Sequence, residues 1–520
     1  MTSSCSSIIS GKPVDGSPGG TVQSTNPADL AEVIAEVALA DAATFVEACQ
    51  VARDAQRDWA RVPAPVRGRV ISEVGRLVER NKERLARLVT REVGKPYAES
   101  LGEVQEIIDT CDFFLSEGRR LYGQTVPSEM SDKALFTFRV PVGVMAVITA
   151  GNFPVAVPSW YLVPALLAGN SVVWKPAEYS AAVATSLYEL FAHAGLPEGC
   201  LSLVLADGAQ TFAGLEAGLA KNLINKVGFT GSSEVGARIG ELCGRYLQSA
   251  CLELGGKNPL VVMDDADLDL AVDGALFSGF GTAGQRCTSL GTAIVHESVY
   301  DEFLSRLVGR LEAAPLGDPF DPSVLYGPML DERFGTRVGE MLETLVEPHH
   351  RVLGSSGTGR ITSDNPRAGF VGDPDAGIFC HPSLVVGVRG DDELARTETF
   401  GPVVGVASFS HFDEALEIAN CSGYGLSSAI YTNSPKAAFR FREGISAGMV
   451  SVNNSTSGAE AHLPFGGNGR SGNGSRQSGI WVLDQVTRWQ AVNWDYSGHL
   501  QKAQMDTETR EADRDFLLPD

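Results

Sequence analysis

Short apolar runs alternate with stretches of helical spacing from about residue 144 onward. The runs comprise Val144 to Ile148, Ser171 to Lys175, Leu201 to Leu205, Val227 to Phe229 and Pro259 to Met263. Helix candidates lie between them, near residues 158–168, 180–194, 209–219 and 233–245. Buried strands that alternate with helices are typical of parallel βαβ units. The pattern therefore predicts an α/β fold whose ligands bind beyond the carboxyl ends of the strands.

The segments on either side of this region show weaker patterns. Residues 1–25 are rich in Gly and Ser and are expected to form a loose arm, and the polar residues 501–520 a solvated tail. A second mixed region runs from Gly284 to about Gly448. One early helix is predicted from apolar residues spaced about 3.6 positions apart, namely Val70, Ile71, Val74, Leu77, Val78, Leu85, Leu88 and Val89.

One uncharged stretch, from Val140 to Trp174, is long enough to span a bilayer. Prolines interrupt it at Pro141, Pro154, Pro158 and Pro164. A buried α/β core therefore explains this stretch better than a membrane span does.

The composition narrows the class of protein. The chain has 520 residues, 43 % of them hydrophobic, which suits a globular protein of two or more domains. Its formal net charge of −22 disfavours nucleic acid and anionic membranes as partners, because both reward clustered Lys and Arg. The nine cysteines contain no CxxC pair and the eight histidines no metal-binding spacing, so no metal is expected. Met1 to Ser7 lacks a signal-peptide pattern, and we predict a cytoplasmic location.

Two glycine-framed segments carry the candidate chemistry. Leu252 to Pro259 contains a lone carboxylate, Glu253, and Gly281 to Thr288 contains a lone thiol, Cys287. A thiolate can attack a carbonyl carbon, and a carboxylate can then activate the water that frees the product. The neighbouring Arg286 is expected to favour the thiolate form of Cys287.

These segments resemble the two signatures of the aldehyde dehydrogenase superfamily, and the resemblance runs from about Asn26 to Asn493. It implies that Cys287 is the nucleophile and Glu253 the general base. It also implies that the Asn152 amide and the Cys287 backbone N–H form the oxyanion hole. A glutamate at 253 favours hydrolysis to a free acid, because branches that acylate coenzyme A typically lack it. The family usually has Trp where this chain has Gly151, a change expected to open the site beside the nicotinamide.

The resemblance also implies the cofactor site. Lys175 and Glu178 would hold the adenosine ribose, and a carboxylate there accepts from a 2′-hydroxyl and repels a 2′-phosphate, so NAD is favoured over NADP. Phe229 to Gly236 runs from a strand into a helix whose N-terminus would face the pyrophosphate. The full set of expected cofactor-binding residues is Ile148, Lys175, Glu178, Gly231, Ser232, Gly236, Leu254, Glu398 and Phe400.

Four segments resemble the antiquitin branch, which oxidises α-aminoadipic semialdehyde, namely Gly102 to Glu106, Ile148 to Val157, Thr282 to Thr288 and Thr456 to Glu460. By contrast, Lys175 to Glu178 and Glu253 to Pro259 resemble the general and oxoglutarate-semialdehyde branches. A carboxylated semialdehyde is the leading substrate, and a plain aliphatic or aromatic aldehyde the next. The expected substrate-binding residues are Glu106, Phe153, Arg286, Gly458, Ala459 and Phe465. A coenzyme A-acylating enzyme and a non-catalytic relative are the rival classes.

The resemblance finally implies an architecture. Residues 1–125 and 144–254 would form a Rossmann-type NAD-binding domain, and residues 255–455 an α/β catalytic domain. Residues 126–143 and 475–495 would supply bridging strands, placed near Ala134 to Val142 and Val482 to Asn493, which build a homodimer or homotetramer. Residues 496–520 would form the polar tail.

Overall fold

The structure, a computed structural model, describes residues 3–507 and 510–520. Residues 1, 2, 508 and 509 lie outside the described residues, and parts of the predicted N-terminal arm and C-terminal tail fall on them. The helices are α1 (Ala42–Arg61), α2 (Ala64–Arg80), α3 (Lys82–Val93), α4 (Tyr97–Arg120), α5 (Ala156–Ala168), α6 (Ala181–His193), α7 (Gly208–Ala220), α8 (Ser233–Arg245), α9 (Leu268–Phe280), α10 (Tyr300–Ala313), α11 (Glu332–Leu345), α12 (Glu393–Arg396), α13 (Phe412–Asn420), α14 (Pro435–Gly444) and α15 (Leu483–Val486).

The strands are β1 (Ser3–Cys5), β2 (Ile8–Ile9), β3 (Lys12–Pro13), β4 (Gly20–Asn26), β5 (Asp29–Leu39), β6 (Gln124–Val126), β7 (Lys133–Pro141), β8 (Val144–Ile148), β9 (Ser171–Lys175), β10 (Leu201–Leu203), β11 (Lys226–Thr230), β12 (Ser249–Glu253), β13 (Asn258–Val262), β14 (Leu290–His296), β15 (Leu316–Gly317), β16 (Arg351–Leu353), β17 (Phe370–Val371), β18 (Ser383–Val386), β19 (Val403–Phe409), β20 (Tyr424–Gly425), β21 (Ser427–Tyr431), β22 (Met449–Val452), β23 (Asn468–Gly469) and β24 (Thr487–Asp495).

The first large sheet has the strand order β12-β11-β8-β9-β10-β2-β3. Its five strands from β12 to β10 are parallel, which is the arrangement that the alternating apolar runs predict. The chain runs from β8 outward through β9 and β10, and then returns to place β11 on the other side of β8. The strand order therefore reverses between β8 and β11, and such a switch point opens a crevice at the carboxyl ends of the strands.

The second large sheet has the order β16-β18-β19-β14-β13-β21-β22 and is parallel except for the edge strand β16. It is built from the region that follows Asn258, and apolar residues of α9, α10 and α11 pack against it. Together the two sheets make the mixed α/β architecture that the sequence pattern predicts.

A third sheet joins distant parts of the chain. β24 pairs with β7 in an antiparallel register from Thr487 opposite Pro141 to Asp495 opposite Lys133. The prediction placed the C-terminal strand near Val482, and this start is wrong. The apolar residues Val482, Leu483 and Val486 belong instead to a helical turn that packs into the core before β24 begins.

Two other expectations for the N-terminal part are corrected. The single early helix is two helices, α2 and α3, which are separated at Asn81. The arm expected over residues 1–25 contributes strands instead: β1 pairs with β5, β2 with β10, and β4 with β5. Apolar residues such as Cys5 and Ile8, buried in the core, fix this segment despite its many Gly and Ser residues.

The uncharged stretch is interior, as predicted. Every residue of α5 is buried, and the helix packs between α2, α4 and β9. Among the described residues, no helix is both long enough and apolar enough to cross a membrane.

Candidate active site

The candidate residues of the first sheet lie where its parallel strands end. β8 is followed by Asn152, β11 by Gly231 and Ser232, and β12 ends on Glu253. β8 and β11 flank the switch point, so these side chains share one edge of the sheet. Ser232 caps the N-terminus of α8 by accepting a hydrogen bond from the Val235 N–H.

Cys287 lies in the loop between α9 and β14, and neighbouring groups fix the loop tightly. Gly284 has a φ of +69°, and a Cβ there would lie 2.1 Å from the carbonyl oxygen of Gly401. Only glycine fits a positive φ together with so close a backbone contact. From the other side, Asn258 Nδ2 donates to the carbonyl oxygens of Cys287 at 2.8 Å and Ser289 at 2.7 Å.

The environment of Cys287 disfavours the thiolate in the free protein. Burial, together with smaller effects of the nearby carboxyls of Glu253 and Glu398, raises the pKa of Cys287 to about 12. Arg286 was expected to lower the pKa of Cys287, but it does not. Its guanidinium forms an ion pair with Glu99 and lies 4.5 Å from the ring centroid of Phe277. The expectation that Arg286 favours the thiolate is therefore wrong.

Glu253 has the features of a buried base. It is 3 % exposed, and among residues 3–507 and 510–520 neither carboxylate oxygen has a hydrogen-bond partner. Burial raises the pKa of Glu253 well above its ordinary value, and the positive charge of Arg476 opposes the shift. A buried carboxylate with a raised pKa can accept a proton from water.

Asn152 is buried against the loop that carries Cys287. Its Nδ2 donates to the carbonyl oxygen of Gln285 at 2.9 Å. Gln285 is itself held, since its Oε1 accepts from the Leu330 N–H at 3.0 Å. The amide of Asn152 is thus tied to the backbone two residues before the thiol.

Two cavities meet at Cys287. The first, here called the strand-end cleft, is lined by Ala150, Asn152, Val157, Tyr179, Thr230, Gly231, Ser232, Leu254, Gly255, Cys287, Phe334, Arg337, Glu398 and Phe400. The second, here called the helix-side pocket, has a volume of about 510 Å³. It is lined by Ala98, Glu99, Gly102, Glu103, Glu106, Phe153, Val157, Trp160, Phe277, Arg286, Cys287, Thr288, Ser457, Gly458, Ala459 and Phe465.

The strand-end cleft gathers part of the predicted cofactor set. Gly231, Ser232, Leu254, Glu398 and Phe400 line it, whereas Ile148, Lys175, Glu178 and Gly236 do not. Lys175 and Glu178 lie together at the end of β9, with Nζ 3.2 Å from Oε1. Gly236 lies behind the cleft wall, where a Cβ would meet Leu254 Cδ2 at 2.3 Å.

These residues fit a nicotinamide dinucleotide. The capped N-terminus of α8 offers N–H groups to a pyrophosphate, and the Lys175–Glu178 pair offers a cation and an acceptor to ribose hydroxyls. The cleft leads from α8 to the thiol of Cys287, which is the path that such a cofactor needs.

The space beside Gly151 is filled, contrary to expectation. A Cβ on Gly151 would lie 2.4 Å from Cε2 of Tyr179, so the Tyr179 ring occupies this position. The rings of Tyr179 and Phe334 meet edge-on, with their centroids 6.5 Å apart, and the ring centroids of Phe334 and Phe400 are 5.6 Å apart. Phe400 was expected from the sequence, whereas Tyr179 and Phe334 were not, although the aromatic residue directly after Glu178 is a signal that could have found Tyr179.

The helix-side pocket brings together all six predicted substrate residues. Glu106 accepts a hydrogen bond from Trp160 Nε1 at 3.1 Å, and burial raises the pKa of Glu106 to about 8. The sequence reasoning missed two other glutamates of α4, Glu99 and Glu103. Their spacing with Glu106 along one helix face is a signal that could have found them.

One group within the described part of the chain has the composition of a metal site: His349, His350 and Asp392. His350 Nδ1 accepts from the Glu347 N–H at 2.9 Å, so Nε2 carries the proton that it donates to Asp392 at 2.8 Å. A protonated nitrogen has no lone pair for a cation, and hydrogen bonding accounts for this cluster.

Parallel strand ends, a cleft suited to a dinucleotide and a thiol at its end define a nicotinamide-dependent oxidoreductase. The comparisons agree. The model of the aldehyde dehydrogenase family matches residues 14–492. The α-ketoglutarate semialdehyde dehydrogenase of Haloferax volcanii is 37 % identical over 94 % of this chain and 98 % of its own. The α-aminoadipic semialdehyde dehydrogenase of Bos taurus is 35 % identical over 91 % of this chain and 85 % of its own.

Solved structures give the same result. Betaine aldehyde dehydrogenase of Staphylococcus aureus in complex with NAD⁺ has a TM-score of 0.88 at 28 % identity, covering 96 % of each chain. An NADP-dependent enzyme of E. coli has a TM-score of 0.87 at 31 % identity, covering 94 % of this chain and 98 % of its own. The chain belongs to the aldehyde dehydrogenase family, and it oxidises an aldehyde to the acid with a nicotinamide cofactor.

Proposed function

We propose that this protein oxidises a carboxylated semialdehyde to the acid, with NAD as cofactor, Cys287 as nucleophile and Glu253 as general base. The observation that carries the proposal is the position of Cys287, which lines both the strand-end cleft and the helix-side pocket. A thiol at this junction can reach an aldehyde in the pocket while the cleft holds the cofactor.

The first half of the reaction uses the thiol and two neutral donors. Cys287 Sγ adds to the aldehyde carbon and its proton leaves to solvent, so the carbonyl π electrons move onto oxygen. The Asn152 amide and the Cys287 N–H stabilise that oxyanion without protonating it, which leaves the C–H bond able to break. When bound, the nicotinamide supplies the acceptor for the hydride. The acyl group then remains on Cys287 as a thioester.

The second half releases the acid. Glu253 takes a proton from water, whose oxygen attacks the thioester carbon, and the C–S bond breaks with its electron pair returning to sulfur. The raised pKa of Glu253 makes its carboxylate a stronger base than an exposed one. Hydrolysis by Glu253 favours a free acid over a coenzyme A thioester.

NAD is proposed over NADP because Glu178 stands beside Lys175 at the end of β9. A carboxylate accepts from a ribose 2′-hydroxyl and repels a 2′-phosphate. The residues proposed to hold the cofactor are Ile148, Lys175, Glu178, Gly231, Ser232, Gly236, Leu254, Glu398 and Phe400.

A carboxylated semialdehyde is proposed because the named relatives act on α-ketoglutarate and α-aminoadipic semialdehydes. The segment at Gly458 and Ala459 would bind the substrate carboxylate through backbone N–H groups, and Gly458 has the φ of +143° that an L side chain rarely adopts. Glu106 would meet an amino group, with Phe153, Phe465 and Arg286 shaping the pocket.

We further propose a cytoplasmic homodimer or homotetramer, in which the β7–β24 sheet, assigned to segments 126–143 and 475–495, bridges the subunits. The sheet presents Phe138, Trp489 and Trp494 at 48 %, 51 % and 62 % exposure, which is the kind of apolar surface that a partner covers. Segments 1–125 and 144–254 would form the cofactor domain, segment 255–455 the catalytic domain, and segment 496–520 the polar tail.

The test is NADH formation by the purified protein with aminoadipic, oxoglutaric, succinic and glutaric semialdehydes, hexanal and benzaldehyde. Each aldehyde is offered with NAD and with NADP, and Cys287→Ala serves as the control. A strong signal with NAD and one carboxylated semialdehyde, absent in the control, is the expected result. Preference for hexanal or benzaldehyde would overturn the substrate class, and a thioester product on addition of coenzyme A would overturn hydrolysis.

A further inference from the structure

Two charged residues that the reaction does not use are completely buried. The side chains of Lys95, just before α4, and Glu103, within α4, are each 0 % exposed and form an ion pair. Removing two charges from water is costly, and a buried pair often contributes little net stability. The contacts of this pair point to a role beyond a contribution to the stability of the fold.

Glu103 provides the cap that α5 lacks. No side chain of the segment before α5 caps that helix. Instead, Glu103 Oε1 accepts from the backbone N–H groups of Val155 at 2.8 Å and Ala156 at 3.2 Å. A carboxylate at a helix N-terminus is favoured by the helix dipole as well as by these hydrogen bonds.

Lys95 contacts an aromatic ring of the same segment. Lys95 Nζ lies 3.4 Å from the ring centroid of Phe153, the residue next to Asn152. The pair therefore fixes the backbone just after Asn152 and the side chain beside it. Asn152 is the amide to which the proposed function gives one half of the oxyanion hole.

The other half of that hole is held by the same helix. Glu99, one turn before Glu103 on α4, accepts from the Thr282 N–H at 3.2 Å and pairs with Arg286, which precedes Cys287. Residues four apart share a helix face, so one face of α4 contacts both the segment after Asn152 and the segment before Cys287. The two oxyanion donors, Asn152 and the Cys287 N–H, are far apart in sequence. Contacts of both segments with α4 fix the distance between these donors.

We propose that Glu103, with Lys95 as its counter-ion, is a positioning residue that sets the Asn152 amide for oxyanion binding. This inference rests on the proposed function, because it needs Asn152 to be an oxyanion donor. Glu103 does not touch the reacting atoms and acts through the α5 N-terminus.

Two reactions of Cys287 separate positioning from general stability, and both are run on the full chain without cofactor. In hydrolysis of 4-nitrophenyl acetate, sulfur bonds to the acetyl carbon, 4-nitrophenolate leaves with the C–O electron pair, and water then cleaves the thioester. The first step passes through an oxyanion. Alkylation by iodoacetamide displaces iodide at a saturated carbon and needs no oxyanion hole. Positioning affects the ester reaction alone, whereas damage to the fold affects both.

The chain provides a matched control in Glu92 of α3. Glu92 is also buried, and it accepts from the N–H groups of Ala182 at 3.0 Å and Val183 at 2.8 Å, at the N-terminus of α6. It therefore caps a neighbouring helix in the same way, but that helix does not follow Asn152. Glu92→Gln is expected to lower the melting temperature and leave the ester rate unchanged.

Asn152→Ala is expected to slow ester hydrolysis about 100-fold, and Glu103→Gln about tenfold, with alkylation within twofold of the parent. The double variant should be no slower than Asn152→Ala, because Glu103 acts through that amide. Glu103→Asp, which keeps the charge, covers the case in which Glu103→Gln does not fold and should show the same selective loss.

Equal losses in both reactions, or a fully additive double variant, would overturn the inference. If Asn152→Ala slows the ester and the Glu103 variants do not, the inference alone fails. If Asn152→Ala has no effect, the oxyanion role fails, and the positioning role fails with it. NADH formation by the parent chain tests the proposed oxidation separately.

Discussion

The strand-end cleft and the helix-side pocket share Cys287 but are built differently. The cleft is formed at the ends of β8, β11 and β12, with loop residues such as Glu398 closing it. The pocket is formed largely by α4, α5 and the segment around Gly458. The positions of strand ends are fixed by backbone hydrogen bonds between strands. The positions of groups on the helix faces depend on side-chain ion pairs and hydrogen bonds.

The two cavities also differ in charge. The pocket side concentrates Glu99, Glu103 and Glu106 on α4, with Arg286 and Lys95 as the paired cations. The cleft relies on backbone N–H groups, aromatic rings and a few charged groups. A cofactor shared by a whole family suits a generic backbone site, and a particular aldehyde suits a pocket that is tuned by side-chain charges. Variants of each side should therefore change different measurements.

Removing the shared residue should have the largest effect on turnover, because the thiol carries the covalent chemistry between the two cavities. Cys287→Ala is expected to lower kcat for aldehyde oxidation at least about 1000-fold, since the covalent route is lost. Cofactor affinity, measured by calorimetry without aldehyde, should change less than about threefold, since removing a sulfur costs only a small contact area. A comparable loss of cofactor affinity would mean that the two cavities are not separable.

Glu253→Gln should have the next largest effect. Loss of a general base costs about 100- to 10,000-fold, so steady-state turnover is expected to fall by at least about 100-fold. Formation of the first equivalent of NADH should survive, because the base is needed only to hydrolyse the thioester. Rapid mixing would show a burst of NADH followed by a slow phase, and retention of full steady-state turnover would contradict the role of Glu253.

The difference between the two sides also explains what the sequence could predict. Strands β8 and β9 lie at their predicted positions because continuous apolar runs mark buried parallel strands. Asn152, Gly231 and Glu253 were expected because short motifs that follow or end strands resemble those of the family. The environment of Cys287 did not follow, because Arg286 is neutralised by Glu99, which lies far away in sequence. The aromatic residue after Glu178 could have been noticed, but its contact with Gly151 exists only in the folded chain.

The electrostatic difference predicts a pH profile. With the pKa of Cys287 raised to about 12, the thiolate is the minor form throughout the neutral range. Alkylation by iodoacetamide should therefore rise about tenfold for each pH unit between about pH 7 and 10, without a plateau. Labelled peptides are quantified against Cys287→Ala, which accounts for reaction at the half-buried Cys421. A plateau below pH 8 would show that a positive charge does reach the sulfur.

Gly151→Ala should affect the cleft and not the pocket. The added Cβ would lie 2.4 Å from the Tyr179 ring and 3.0 Å from the Ala177 Cβ, so the ring must move into the cleft. We expect NAD affinity to fall about tenfold, which is the cost of about 1.4 kcal/mol, while cofactor-free ester hydrolysis stays unchanged.

Gly208→Ala is the control for that variant, because no atom lies within 4 Å of its added Cβ. In a Tyr179→Ala background, Gly151→Ala should lose most of its effect, since the ring it displaces is gone. An undiminished effect in that background would mean that Ala177 causes the conflict.

Glu178→Gln should change only the choice between NAD and NADP, and it is the sharpest test of the cofactor side. The substitution removes the charge that repels a 2′-phosphate and releases Lys175 from its 3.2 Å contact with that carboxylate. The ratio of kcat/KM with NADP to that with NAD is expected to rise about tenfold, with the aldehyde preference unchanged. The exposed Glu189→Gln on α6 is the control for a general change in charge. An unchanged ratio would show that the preference is set elsewhere in the cleft, and Arg337, which lines it, would be the next residue to substitute.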